Sequence, residues 1–246
     1  MYNVYIKHKQ LSWLPWTLFL KRAIYMEERY LKPIRQQTTQ DIVYKQVLDA
    51  ILNGAFTRDE VFTEVQLAES LNTSRTPVRG ALQTLVKDGL LVSIPRKGLS
   101  IRNITQEEQD EIFLLRSSIE LEVTKKLTSM TISKENLMLL NNLIRQQEEA
   151  MNNDDNIHFI DLDQEFHLML TRLANYKLME QVLINLHNLT QLMGLKAVSR
   201  KGRMKEVLVE HRRIIQSIEE QNTESASKFI LDHLNNSKNA LNFEDR

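Results

Sequence analysis

Residues Leu67 to Leu82 read LAESLNTSRTPVRGAL, and the fold turns on this stretch. Val78, Ala81 and Leu82, continued by Leu85 and Val86, recur at helical spacing, so one stripe of a helix faces a core. Arg75 and Arg79 are four residues apart and share the free face near the helix start, with Thr76 beside them. Pro77 fits only in the first turn, where its missing N–H is one that a helix start leaves unpaired. Ser74 or Thr76 can cap that end. Upstream, Val65, Leu67, Ala68 and Leu71 mark a shorter helix ending near Asn72. Helix, tight turn and helix is the arrangement that offers its second helix to a DNA major groove.

Downstream, LLVSIPRKGLSIR predicts two short strands, Leu90 to Ile94 and Leu99 to Arg102, joined by a turn containing Pro95 and Gly98. Such a hairpin is a wing. Between Ser74 and Arg102 the cations are Arg75, Arg79, Lys87, Arg96, Lys97 and Arg102, and the only acid is Asp88. The whole chain carries a formal net charge of +0, so this positive balance is local. An arginine can donate two hydrogen bonds to a guanine edge, while the hydroxyls and Lys97 suit phosphates. The plainer reading, two arginines solvating a helix face, has against it the agreement of cap, proline, spacing and wing.

SRTPVRGAL, followed by a DGLL strand and a PRKG wing, resembles the winged helix of GntR-type bacterial transcription regulators. The likeness runs from roughly Asp41 to Ile104 and includes the preceding helix IVYKQVLDAILNGAF. It implies that Ser74, Arg75, Thr76 and Arg79 contact double-stranded operator DNA, with Lys97 and Gly98 at the wing tip. Two features depart from the pattern. Many relatives carry a basic residue at the position of Val65, and TRDEVFTEVQLAE stands where they usually have a Pro-Gly turn. The fold is expected to survive both.

A winged helix-turn-helix of three helices and a two-stranded wing over residues 39–104 leaves 105–242 of the 246 residues for a second domain. A hydrophobic fraction of 42% permits two cores, and with only six glycines and four prolines helix should dominate. The absence of cysteine excludes disulfides, thiolate metal sites and a cysteine nucleophile, and fits a cytoplasmic protein. Residues 1–38 differ in character, with Trp13, Trp16, Phe19, four of the six tyrosines and an excess of Lys and Arg. The run LSWLPWTLFL has ten residues, is broken by Pro15 and is bounded by Lys9 and Lys21, too short to span a membrane. It also lacks the cleavage site of a signal peptide. We expect an N-terminal extension that is disordered or lies upstream of a natural start at Met26.

From Thr105 onward helical periods fall near 106–128, 133–151, 156–174, 176–193, 204–220 and 223–240, which predicts an antiparallel all-α bundle. Within DLDQEFHLML, Asp163 and His167 sit at i and i+4 and project toward one point. His211 and His233 lie on two later helices, each flanked by apolar residues that turn it inward. One carboxylate and three imidazoles suit zinc, nickel or another borderline divalent ion. On spacing alone, a surface hydrogen-bonded pair and two satisfied core histidines are the favoured reading. The domain is similar to the FCD effector domain of FadR-like GntR regulators, and that resemblance implies a metal site with Asp163, His167, His211 and His233 as ligands. It further implies that Arg116 faces an effector cavity and pairs with a small carboxylate; read by itself, Arg116 also fits an i, i+4 ion pair with Glu120. Asn175 matches the subgroup too, although helix capping explains it as well, and His8, His158 and His187 match no motif.

These readings converge on a metabolite-responsive transcriptional regulator, a homodimeric repressor acting on a palindromic or near-palindromic operator. The alternative is a metal-dependent hydrolytic enzyme with a DNA-binding module, since a ligand set with an open position can activate water. No general base or nucleophile constellation accompanies the ligands. A third reading, a nonspecific DNA-organising protein, would rest on phosphate contacts alone.

Overall fold

The computed structural model describes residues 37–57 and 60–241. The expected extension and the start at Met26 lie outside these residues, apart from 37 and 38. The first three helices are α1 (Thr39–Leu52), α2 (Glu64–Ser70) and α3 (Arg75–Lys87), followed by strands β1 (Leu91–Ile94) and β2 (Gly98–Ile101). Helix α1 stops short of the stretch that resembled it, because Gly54 takes a left-handed φ of 69° just beyond its end. A capping box opens α2: Thr63 accepts from the Gln66 N–H while Gln66 reaches back to the Thr63 N–H. Val43, Val47 and Ile51 of α1 meet Val78, Leu82 and Leu85 of α3 in a core closed by Leu90, Leu91 and Ile101.

Two expectations shift. Val86 does not join that core; it is 37% exposed, because it falls on the edge of the apolar stripe that faces the wing groove. The strands pair antiparallel from Leu91 with Ile101 to Ile94 with Gly98, one residue off the predicted ends, although the Arg102 N–H still donates to the Leu90 carbonyl at 2.9 Å. Ahead of α2, an isolated antiparallel bridge joins Phe62 to the wing, where Phe62 and Leu99 exchange both backbone hydrogen bonds at 2.9 Å.

Six helices follow: α4 (Gln106–Thr128), α5 (Lys134–Asn152), α6 (Asn156–Leu173), α7 (Lys177–Val198), α8 (Arg203–Glu219) and α9 (Thr223–Leu241). Thr105, Ser133 and Asp155 cap the starts of α4, α5 and α6. Left-handed residues Asp154, Asn175 and Gln221 turn the chain after α5, α6 and α8. Packed neighbours joined by such short turns run antiparallel around a separate core that includes Leu127, Leu140, Phe159, Phe166, Ile214 and Ile230. Helix α7 runs past the predicted end near residue 193. Gly194 does not break it, and its missing Cβ leaves room for Ile160, whose Cδ1 would lie 2.9 Å from a Cβ there.

Helix α7 also reaches the winged helix. Leu192 packs on the winged-helix core, Leu189 lies against Gly89, and Tyr44, whose hydroxyl donates to Asp88 Oδ2 at 2.7 Å, also bonds Asn188. No described helix is long and apolar enough to cross a membrane.

Candidate functional site

On the winged helix, Arg75, Thr76 and Arg79 are exposed along the first turns of α3. Ser74 occupies the N-cap position, but its side chain makes no capping bond, which leaves the hydroxyl available to a phosphate. Between α3 and the wing lies an open groove of about 760 Å³, and Arg75, Lys97 and Gly98 line it together with Gln83 and Arg96. Gly98 has a packing reason as well: at its φ of 141°, a Cβ would stand 2.4 Å from the Phe62 carbonyl oxygen. Arg96 takes a left-handed φ of 65° in the turn closed by the Lys97 N–H to Ile94 carbonyl bond, a conformation uncommon for a side-chain-bearing residue. Two cations of this stretch are already paired with carboxylates. Arg102 pairs with Glu108 at the head of α4, away from this surface, and Arg79 holds Glu64 of α2 through its Nε at 2.9 Å.

The second site is inside the bundle. Asp163 and His167 on α6, His211 on α8 and His233 on α9 are all buried, and one ligand atom from each lies within 4.8 Å of every other. Nε2 of His167 is 3.2 Å from Nε2 of His233 and 3.8 Å from Asp163 Oδ2; Nε2 of His211 is 3.4 Å from Asp163 Oδ1. Each Nδ1 turns outward to an oxygen. His211 meets the Gln147 amide oxygen at 3.0 Å, His233 meets Glu210 at 2.8 Å, and His167 lies 2.6 Å from Glu120 Oε2, close but off the hydrogen-bond line. A proton on Nδ1 of His211 and of His233 would serve these oxygens and leave their Nε2 atoms facing the carboxylate and the His167 ring.

Burial and the neighbouring His233 and His167 push His211 well below the usual histidine range; burial lowers His233 too, against the pull of Glu210. Neutral imidazoles with converging lone pairs repel unless a cation lies between them, and the Nε2 of His211 makes no hydrogen bond. A tetrahedral ion with ligand distances of about 2.1 Å separates its donors by roughly 3.4 Å, a spacing the observed distances bracket. The donor set therefore fits a divalent metal ion.

Beside the cluster, Arg116 on α4 makes the i, i+4 ion pair with Glu120. Its Nε donates to Glu120 Oε1 at 2.8 Å, while its Nη2 is buried with no hydrogen bond and the residue lines a cavity of about 30 Å³ shared with Asp163. Burial alone would raise the Glu120 carboxyl, but Arg116 and His167 outweigh it and hold it at about 2. Glu210 is likewise held at about 2: its bonds to His233 and to the buried Arg203 overcome burial. Sequence reasoning found Glu120 only as an i, i+4 partner of Arg116 and missed Gln147, Glu210 and Arg203, because the contacts of Glu120, Gln147 and Glu210 with the histidines are made between helices and the Arg203–Glu210 pair is seven residues apart on α8. Asn175 acts as a left-handed helix end rather than as a wall of the cavity, and His158 and His187 stand apart from the cluster. His8 lies outside the described residues.

A winged helix-turn-helix followed by a six-helix bundle built around a histidine cluster defines a DNA-binding transcriptional regulator. Residues 39–101 match the bacterial regulatory proteins of the gntR family, and residues 111–236 match the FCD domain. The HTH-type transcriptional regulator YdhC of Bacillus subtilis is 32% identical over 193 residues, which cover 78% of this chain and 86% of that relative. The chain belongs to the GntR family of transcriptional regulators, in the FadR-like subgroup that carries a C-terminal FCD domain. The HTH-type transcriptional repressor RspR of Escherichia coli is 23% identical over 203 residues, 82% of this chain and 86% of its own. Among solved structures, the GntR protein of Rhodococcus sp. RHA1 superposes with a TM-score of 0.69 at 21% identity, covering 84% of this chain and 99% of that one. E. coli McbR/YncC superposes with a TM-score of 0.67 at 18% identity, covering 84% and 98%. These structures share the fold. The relatives are transcriptional regulators, so the chain is a regulator and not a hydrolase.

Proposed function

We propose that this regulator binds a palindromic operator as a homodimer and answers to a small carboxylate held with a divalent ion, of zinc or nickel type, in its bundle. The winged helix over residues 39–104 reads DNA, with Arg75 and Arg79 on bases and Ser74, Thr76, Lys97 and the backbone at Gly98 on the sugar-phosphate chain. Asp163, His167, His211 and His233 hold the ion. The observation that carries this reading is the meeting of three imidazole lone pairs and a carboxylate at one buried point. A bound ion supplies positive charge and open coordination positions to an anionic ligand.

The buried charges support the same order of events. Arg116 and Arg203 stand against Glu120 and Asp163 in the interior, with Glu210 half-buried beside Arg203, so the site carries no excess of positive charge for an anion. A divalent ion would add the positive charge that a carboxylate on Arg116 Nη2 then offsets. The cavity is only about 30 Å³, room for roughly one water. A ligand must therefore widen it, and its wall is α7: Thr190, Met193, Gly194 and Ala197 face the cavity. The same helix presses Leu189 and Leu192 on the winged helix. Ligand entry thus shifts the element that positions the DNA-reading surface, and DNA must shift ligand affinity by the same factor. Similarity to a repressor supports repression as the sense of control.

The test is sequencing of genomic fragments retained by the metal-loaded full-length protein, with a panel of small carboxylates added as eluants. One palindromic site, released by one carboxylate and not by the others, is the expected result. Retention of every fragment alike, at all salt concentrations and indifferent to carboxylates, refutes the reading.

A further inference from the structure

We infer that Glu64 is a positioning residue for DNA recognition, which aims the Arg79 guanidinium at a guanine; this rests on the DNA-reading role proposed above. Both Glu64 carboxylate oxygens accept from Arg79 Nε, at 2.9 and 3.2 Å, across the two helices of the helix-turn-helix. Neither terminal nitrogen of Arg79 hydrogen-bonds a described residue, so the outer end of the fork stays open. Recognition of guanine O6 and N7 requires two donors presented together, and a long exposed side chain loses rotamer freedom to present them. A carboxylate on the inner nitrogen removes part of that freedom before DNA arrives.

Two further observations separate this from an incidental surface pair. Glu64 occupies the first turn of α2, where an acid commonly serves the helix end, yet that duty is already met by Thr63 and Gln66 through the capping box. The Glu64 carboxylate is left free to cross to α3. Among the described residues that line the groove between α3 and the wing, Glu64 is also the one acid, amid Arg75, Arg96 and Lys97. A negative charge there repels every phosphate and lowers sequence-blind affinity. Aiming Arg79 would offset that cost by improving discrimination.

The two consequences have opposite signs. The experiment selects duplexes from a randomised library with full-length parent protein, Glu64→Gln, Arg79→Lys and the double variant, each first checked for unchanged thermal unfolding. Arg79→Lys, which keeps the charge but not the fork, should erase one guanine preference. At that same position Glu64→Gln should weaken the preference by about two- to fivefold, the range of an exposed ion pair. On an unselected duplex at low salt, Glu64→Gln should bind more tightly, and its salt dependence should steepen by about one unit as Arg79 turns to a phosphate. In the Arg79→Lys background Glu64→Gln should change nothing further at that guanine. If Glu64→Gln preserves the parent's preference there, or weakens every position alike, Glu64 does not aim Arg79. A parent protein that selects no sequence overturns the DNA-reading role itself, and the inference with it.

Discussion

Two arginine–glutamate pairs, one on the winged helix and one in the bundle, share chemistry and differ in everything that burial controls. Arg79 and Glu64 meet at 2.9 Å with side chains 54% and 28% exposed; Arg116 and Glu120 meet at 2.8 Å with 7% and 3% exposed. Water competes for the first pair, so its strength is small and the partner exchangeable, which suits the DNA-reading role proposed for Arg79. The second pair has no water to fall back on. Its groups are held to one geometry, with Arg116 Nη2 unpaired and Glu120 Oε2 close to the His167 ring. One pair can exchange partners, and the other has its geometry fixed.

The largest effect should fall on the buried pair. Glu120→Ala strands the Arg116 guanidinium in the interior and removes the oxygen beside His167 Nδ1, a loss on the order of 3–5 kcal/mol in denaturant unfolding. Glu64→Ala on the surface should cost less than about 1 kcal/mol in the same measurement. Equal costs would break the contrast between the two regions. Next in size is the metal. Parent protein stripped by a chelator should regain thermal stability on adding zinc or nickel, by about 2.7 kcal/mol at a hundredfold excess over Kd. His211→Ala should show neither the gain nor bound metal by elemental analysis; a variant with full metal content removes His211 from the ligand set.

How far the sequence could be read follows the same division. The winged helix was legible because its evidence is local: helical spacing from Val78 to Leu85, Pro77 in the first turn, and a strand pair with Gly98 at its turn. Val86 was misplaced because spacing alone does not locate the edge of an apolar stripe, where the wing groove begins. Of the metal cluster, only Asp163 and His167 are neighbours along one helix; His211 and His233 needed the resemblance, since their convergence is a property of bundle packing. The oxygens that orient the histidines lie on Glu120, Gln147 and Glu210, and sequence carries no signal for contacts made between helices. Glu64 escaped for the same reason, standing fifteen residues from Arg79 on another helix.

On the DNA-reading side, Arg79→Ala should lower operator affinity by about 1–3 kcal/mol, the worth of a bidentate arginine–guanine contact. Far-UV circular dichroism should be unchanged, because the side chain is exposed and pairs only with a surface carboxylate. Loss of helix content together with binding would make Arg79 a structural residue and bring the two regions' arginines closer in kind.

The smallest effect tests whether the regions communicate at all. Leu192 is the residue of α7 that packs on the winged-helix core, while Met193, the next residue, lines the cavity beside Arg116. Leu192→Ala removes apolar contact between the bodies but touches neither the metal cluster nor the DNA surface. It should leave metal content and ligand-free operator affinity near the parent's, and shrink the shift in operator affinity caused by carboxylate by about 0.5–2 kcal/mol. Tyr44→Phe, which deletes the bonds to Asp88 and Asn188 at the same seam, should act in the same direction. The readout is a four-corner cycle of operator affinity, with and without ligand, in parent and variant. An undiminished shift would mean that α7 does not couple the sites, and that the signal crosses instead by the short connection from Arg102 to Glu108, where the wing is tied to the head of α4.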